Sequence, residues 1–276
     1  RLTAMPAASS SWELTDIPGD RTGSLPRAPT FRGAAHVRWH NRAMSRPGIF
    51  GPSRDWPAQD LIGLSDELDP DLVVLAYRCG VFPMPLHNSW FPARMGWWSP
   101  MRRGVLLPDG VRVTRSLRKS AHHFTTTVDA AFDEVLARCA DPSRPHGWID
   151  DDIVAVFTEL HRRGVVHSVE SWTPEGRLAG GLYGVSIGGL FAGESMFHDP
   201  AIGRDASKVA LLRLVSTMTG DGLVERLIDV QWRTDHLATM GVIEIDREEY
   251  LSALDETLAL PLPDWAAERA KEPEVA

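Results

Sequence analysis

The sequence predicts an α+β fold, and three observations carry that prediction. Val165–Trp172, Leu178–Ser186 and Leu190–Phe197 are three consecutive strand-like stretches, separated by turns that hold Gly176 and Gly188-Gly189. A helix at Asp205–Thr219, a strand at Leu223–Trp232 and a helix near Asp246–Leu258 follow them. Finally, Gly180-Gly181-Leu182-Tyr183-Gly184 lies inside a strand pattern, whereas a dinucleotide fingerprint needs a strand-to-helix turn. An antiparallel meander followed by helix, strand and helix is an α+β arrangement.

Along the chain, residues 1–53 mix Ser, Pro, Gly, Ala and Arg with little periodicity and read as a flexible basic extension. Asp69-Pro70-Asp71 then supplies an N-cap, a first-turn Pro and an acid, opening a helix of about three turns that Gly80 closes. The next stretch, Val81–Pro100, is dense in Pro and Trp and reads as an irregular segment pinned by aromatic packing. Helical periodicity appears in Val128–Ala140 and in Asp150–Arg163, the second opened by three acids and followed by Gly164.

The chain has 276 residues, 43% of them apolar, which is enough for two compact domains and a sizeable core. Its net charge of -8 argues against a surface devoted wholly to polyanions, but the charges are segregated. Arg94, Arg102, Arg103, Arg112, Arg115, Arg118 and Lys119 form a basic band beside Trp97, Trp98, His122 and His123. Cations interleaved with aromatics suit a single-stranded nucleic-acid end, and equally describe a solvated loop over core tryptophans. Cys79 and Cys139 have no spacing that indicates a disulfide framework or a zinc site. A reducing cytoplasm fits best, because there is no signal pattern and no apolar run approaches the roughly 20 residues that span a bilayer.

Two strands carry polar residues where apolar ones are expected. Period-2 alternation puts Leu190, Ala192, Glu194 and Met196 on one face and Phe191, Gly193, Ser195 and Phe197 on the other. A carboxylate in an apolar row needs a partner or works in a cleft. In the later strand Leu227, Asp229 and Gln231 share a face, so two polar groups stand side by side, as a pocket lining or a hydrogen-bonded pair would. Asp235-His236 just beyond reads as a helix cap with a hydrogen-bonded His rather than as a catalytic dyad. Walker, HExxH and Gly-x-Ser-x-Gly motifs are absent, which removes the common ATPase, zinc-protease and α/β-hydrolase readings.

Five separated motifs resemble the leucyl/phenylalanyl-tRNA–protein transferases: Gly96-Trp97-Trp98-Ser99-Pro100, Gly147-Trp148-Ile149, Leu190 to Phe197, Ala206-Ser207-Lys208, and Leu227 to Gln231 with Asp235-His236. The resemblance runs from about Trp56 to Trp265. It implies a small N-terminal domain at 54–110 and a C-terminal domain at 111–276 of the GCN5-related N-acyltransferase (GNAT) type. It also implies transfer of Leu or Phe, and sometimes Met, from aminoacyl-tRNA to the N-terminal Arg or Lys of a protein, which marks that protein for N-degron proteolysis. The donor is an activated ester, so no cofactor or metal is implied.

By the same resemblance Trp98 and Trp148 hold the terminal adenosine of the tRNA. Leu182, Phe191, Gly193, Ser195 and Met196 line the pocket for the transferred side chain, and Arg115, Arg118 and Lys119 meet the acceptor-stem backbone. Glu194, Asp229 and Gln231 become the catalytic group: Gln231 contacts the attacking amine, Asp229 orients Gln231 and helps accept the proton, and Glu194 fixes the cationic acceptor or the donor's amino group. Asp150 stands where relatives commonly carry Thr. The competing readings are a same-fold acyltransferase using acyl-CoA and a noncatalytic tRNA-binding or N-degron adaptor protein.

Overall fold

The computed structural model describes residues 49–275, apart from Glu67, Ser89, Trp90, Pro145, His146, Glu272 and Pro273. The expected basic extension lies, up to residue 48, outside the described residues. The chain forms two compact units, one ending at Met101 and the other beginning at Arg102. This border falls ahead of the Gly110 border expected from sequence because Arg102–Leu106 pairs within the larger sheet. Among the described residues no helix is long and apolar enough to cross a membrane.

The small unit is a three-stranded sheet with one helix. Its elements are β1 (Leu61–Ser65), α1 (Pro70–Arg78), β2 (Phe82–Asn88) and β3 (Phe91–Trp98), in sheet order β1-β3-β2. As predicted, the Asp69 side chain caps α1, accepting from the backbone N–H groups of Asp71 and Leu72 at 2.9 and 3.1 Å. The segment expected to be irregular is instead an antiparallel hairpin of β2 and β3. Its prolines are tolerated because β2 is an edge strand, and Pro83 and Pro85, two residues apart, leave both missing N–H groups on one side. Trp97 is buried and donates its indole N–H to Ser65 Oγ at 2.9 Å, which ties β3 to β1.

The large unit is an eight-stranded sheet in the order β10-β4-β9-β8-β7-β6-β5-β11. In chain order its elements are β4 (Arg102–Leu106), α2 (Arg115–Ala121), β5 (Thr125–Val128), α3 (Phe132–Cys139), α4 (Asp151–Arg162), β6 (Val166–Trp172), β7 (Leu178–Ile187) and β8 (Leu190–His198). There follow α5 (Ala206–Thr219), β9 (Leu227–Gln231), α6 (Asp235–Thr239), β10 (Ile243–Asp246), α7 (Arg247–Ala259), α8 (Trp265–Ala270) and β11 (Glu274–Val275). The meander β6-β7-β8 is antiparallel as predicted, and Gly176 and Gly188 in its turns take φ of 75° and 57°. Asp150 caps α4, its side chain accepting from Ile153 N–H at 2.9 Å.

Two further features of the large unit depart from the sequence expectation. The helix expected at Val128–Ala140 begins only at Phe132, because Val128 pairs with Val169 at the end of β5 and Asp129 turns the chain at φ 54°. The Asp129 carboxylate holds that turn by accepting from Ser168 N–H at 2.8 Å, His167 at 2.7 Å and Arg269 at 2.6 Å. Helix α2 and strand β4 arise in stretches where alternation and periodicity are too short to register. All strand pairs of the large sheet are antiparallel except β8 and β9, which are parallel.

The main core lies between one face of this sheet and α5. It includes Leu182, Phe191, Met196, Ile228 and Val230 from the strands, and Val209, Ala210, Leu211 and Leu214 from the helix. Helix α5 shows little amphipathicity because it is buried nearly all round, including Arg213, whose guanidinium pairs with Glu268 of α8 at 2.9 Å. Trp265 of α8 stacks on His167 of β6 and donates to Ser186 Oγ at 2.9 Å, closing this face at its far end. The opposite face carries α3 and α4, where Phe132 and Phe157 meet the Tyr183 ring edge-on.

Candidate active site

The site begins as a break in the sheet. Parallel pairing of β8 with β9 runs Leu190–Leu227, Phe191–Ile228 and Ala192–Asp229 and stops there. At the same level the β7–β8 register steps from Gly184–Gly193 to Tyr183–Ser195, so Glu194 is the extra residue of a bulge in β8. Such a bulge bends its strand and re-aims a side chain. Gly184 suits the crossing, since a Cβ there would meet the Ala192 carbonyl at 2.3 Å. Strand β9 has its own irregularity against β4, where Gly104 faces Gln231 and Val105 faces Asp229, leaving Val230 as the extra residue. Glu194 and Gln231 thus each lie two residues beyond the last β8–β9 pair, on strands that no longer bond to each other.

The bulge corrects the predicted alternation. Ala192 pairs with Val185, whereas Met196 pairs with Leu182, and those two β7 residues point to opposite faces. Leu190 and Ala192 therefore do not share a face with Met196. Phe191 and Met196 join the α5 core, and Ser195 and Phe197 face the other way. Of the five pocket residues expected from sequence, Leu182, Phe191 and Met196 meet in that core, Gly193 forms part of the bulge, and Ser195 lies across from Tyr183.

Asp229 and Gln231 are wholly buried, and they are joined through the backbone rather than side chain to side chain. Gln231 sits at φ 57°, a left-handed conformation that costs a non-glycine residue of order 1 kcal/mol or more. Its N–H donates to Asp229 Oδ1 at 2.9 Å, the bond that holds this turn. Among the described residues neither amide atom of the Gln231 side chain has a hydrogen-bond partner. A buried amide with both ends unmatched is costly to keep, and a catalytic role is one of the reasons a fold retains such a group.

Two residues that sequence reasoning did not assign to the site hold Asp229. Arg103, 1% exposed, donates from Nε to Oδ1 at 2.8 Å and from Nη2 to Oδ2 at 2.5 Å. The Tyr250 hydroxyl of α7 donates to Oδ2 at 2.8 Å, and the Arg103 guanidinium lies 4.4 Å from the centre of its ring. Burial, and then the Asp229 charge working against that of Arg103, push the Tyr250 phenol far above its ordinary value, so it stays a donor at any working pH. Arg103 thereby leaves the basic band that the sequence placed at the surface. An Arg in a charged run gives no sign of burial; the one available signal was its position two residues before the strand-like Val105-Leu106.

Gly104 fixes the spacing between β4 and the end of β9. A Cβ there would meet Arg233 N at 2.7 Å and the Trp232 carbonyl carbon at 2.9 Å, both backbone atoms. Gly104→Ala is therefore expected to destabilise the protein by about 1–3 kcal/mol, as overpacking does. A thermal melt indistinguishable from wild type would contradict this placement.

On the β8 side of the break, Glu194 is 1% exposed. Burial first, and then the Glu194 charge, push the Tyr183 phenol well above its ordinary value, and its hydroxyl has no hydrogen-bond partner among the described residues. Nearby, Arg144 donates to the carbonyls of Cys139 at 2.9 Å and Met196 at 2.8 Å. Beyond β9, Thr234 rather than Asp235 caps α6, accepting from Leu237 N–H at 3.2 Å. His236 Nε2, expected to be hydrogen-bonded, has no such partner among the described residues. Burial, then the Lys208 and His198 charges, hold that imidazole below its ordinary value.

The aromatic and basic residues are placed as follows. Trp148 is half-buried just before α4 in the large unit. In the small unit Trp98 is buried, with its indole N–H donating to the Met84 carbonyl at 3.1 Å. Arg112, Arg115, Arg118 and Lys119 are exposed, and no ion pair engages them among the described residues. Arg102 pairs with Asp246 at 2.5 Å, and the Arg94 side chain lies outside the described residues.

Comparison with known proteins follows the same order along the chain. The family model for the leucyl/phenylalanyl-tRNA protein transferase N-terminal domain matches residues 66–101, and that for leucyl/phenylalanyl-tRNA protein transferase matches residues 105–255. A leucyl/phenylalanyl-tRNA–protein transferase of Rhizorhabdus wittichii is 46% identical over 197 residues, covering 70% of this chain and 76% of that protein. One of Laribacter hongkongensis is 42% identical over 221 residues, covering 77% and 90%. Among solved structures, L-PGS from Bacillus licheniformis aligns over 64% of this chain and 57% of its own, at 10% identity and a TM-score of 0.34, too loosely to carry an argument. Matched in both parts, and across most of the length of such relatives, the chain belongs to the leucyl/phenylalanyl-tRNA protein transferase family.

Proposed function

We propose that this protein transfers Leu or Phe, with Met as a further donor, from the ester of an aminoacyl-tRNA to the α-amino group of a protein beginning with Arg or Lys. Such a product carries a new N-terminal residue and is an N-degron substrate in the cytoplasm. The single observation that carries the reading is the buried Gln231 amide, unmatched among the described residues, at the point where β8 and β9 separate. A mostly antiparallel sheet that splits between two parallel strands is the feature that favours a GNAT-like large domain over the other α+β folds.

The chemistry is aminolysis. The amine nitrogen forms a bond to the ester carbonyl carbon, the bond from that carbon to the 3′ oxygen breaks, and the departing oxygen takes up the proton the amine gives up. An α-amino group with a pKa of about 7.7–8.0 is partly neutral at working pH, so holding it in line contributes more than removing its proton. Gln231 Oε1 accepts from the attacking amine, Asp229 orients Gln231, and Glu194 holds a cationic group of the acceptor or the donor's amino group. The transferred side chain is received at Gly193, where β8 bulges, with Leu182, Phe191 and Met196 on the α5 face and Ser195 on the other; one methylene is worth only about 1–3 kcal/mol there, and overlapping use of Leu, Phe and Met follows. Trp148 serves the terminal adenosine by stacking, while the unpaired Arg115, Arg118 and Lys119 meet phosphates without reading sequence.

An acyl-CoA donor fits less well. Folds of this type seat a pyrophosphate on a helix N-terminus, but the cap position of α5 holds Asp205, whose carboxylate is tied to Lys208 and Ser120, each at 3.0 Å. Labelled Leu-tRNA incubated with peptides beginning with Arg, Lys or Ala, without ATP, tests the reading. Transfer to the Arg and Lys peptides alone is expected; acetyl-CoA as the sole accepted donor would overturn it.

A further inference from the structure

Asp229 accepts four hydrogen bonds: at Oδ1 from Arg103 Nε and the Gln231 N–H, and at Oδ2 from Arg103 Nη2 and the Tyr250 hydroxyl. A carboxylate has about four lone-pair sites, so this one has none left for a proton or for another amide. The fully buried Gln231 side chain is not among its donors. Resting on the reading above, we propose that Asp229 is no proton acceptor but the centre of a clamp, with Arg103 and Tyr250 as positioning residues that hold the Gln231 backbone left-handed and its side-chain amide toward the substrates.

Each clamp member has a separable part. Arg103 fixes both carboxylate oxygens from one side, as a bidentate guanidinium does. Tyr250 accepts weakly from Arg103 Nη2 at 3.4 Å and donates to Oδ2, anchoring the carboxylate to α7. With both in place, only one orientation of Oδ1 meets the Gln231 N–H, and without that bond the φ of 57° has nothing to offset its strain.

Tyr250→Phe and Asp229→Asn test this with two independent readouts. Amide hydrogen exchange at Gln231 reads the clamp without any reaction, and protection there is expected to fall by about tenfold in Tyr250→Phe, the scale of one hydrogen bond to a charged group. Under single-turnover conditions with labelled Leu-tRNA and an Arg peptide, the transfer rate is expected to fall by a similar factor. Affinity for the tRNA and the pH midpoint of the rate should not move in either variant. In a Gln231→Gly background, where the backbone needs no clamp, adding Tyr250→Phe should change the rate by less than about twofold. Unchanged Gln231 protection in Tyr250→Phe overturns the clamp, and so does loss of the acid limb of the pH profile in Asp229→Asn. If the wild-type protein transfers nothing, the proposed function fails, and the exchange measurement still decides the clamp. If Asp229→Asn does not fold, Tyr250→Phe decides alone.

Discussion

Gln231→Ala is expected to lower the single-turnover rate of transfer from Leu-tRNA to an Arg peptide by about 10²–10³-fold, the usual effect of removing one preorganised polar group from a reacting centre. Affinity for the tRNA should stay within about twofold, because in the proposed reading phosphate and stacking contacts supply it. Stability should move the other way. Gln231 combines a φ of 57° with a buried amide that has no partner among the described residues, so the folded protein carries both costs. Gln231→Gly removes the strain and the unmatched amide together, and should raise the melting temperature by about 2–4 °C for each kcal/mol relieved. A Gly variant that is inactive and less stable than wild type would mean that Gln231 supports the fold rather than the reaction.

Arg103→Met is expected to destabilise the protein by about 3–5 kcal/mol, because it leaves the Asp229 carboxylate buried without its cation. For a chain of this size the melting temperature should drop by about 10 °C. The double variant Arg103→Met/Asp229→Leu replaces a buried ion pair with apolar groups and should recover most of that loss. It should not recover transfer, since the Gln231 N–H then has no acceptor and the turn is unsupported. Recovery of both stability and rate in the double variant would remove the network from the mechanism.

How much of this could be read beforehand depended on whether the signal was local. The meander, its glycine turns, and the caps at Asp69 and Asp150 depend on neighbouring residues alone, and they stand as the alternation and capping patterns imply. The small sheet was hidden because edge-strand prolines look like an irregular segment when the strand's position in the sheet is unknown. Glu194 and Asp229 were legible as polar residues in apolar rows, but the bulge that sets the direction of Glu194 is a property of register between strands. Arg103 and Tyr250 stand 126 and 21 residues from Asp229, and only folding shows that the cation belongs to the core and not to the exposed basic band.

The most direct test is a crystal structure of the protein with a non-hydrolysable aminoacyl-adenosine. The aminoacyl group is expected at the opening between β8 and β9, its carbonyl within hydrogen-bond distance of the Gln231 amide and its side chain at the Gly193–Ser195 bulge. An analogue bound elsewhere, with that opening still vacant at saturating concentration, would contradict this expectation.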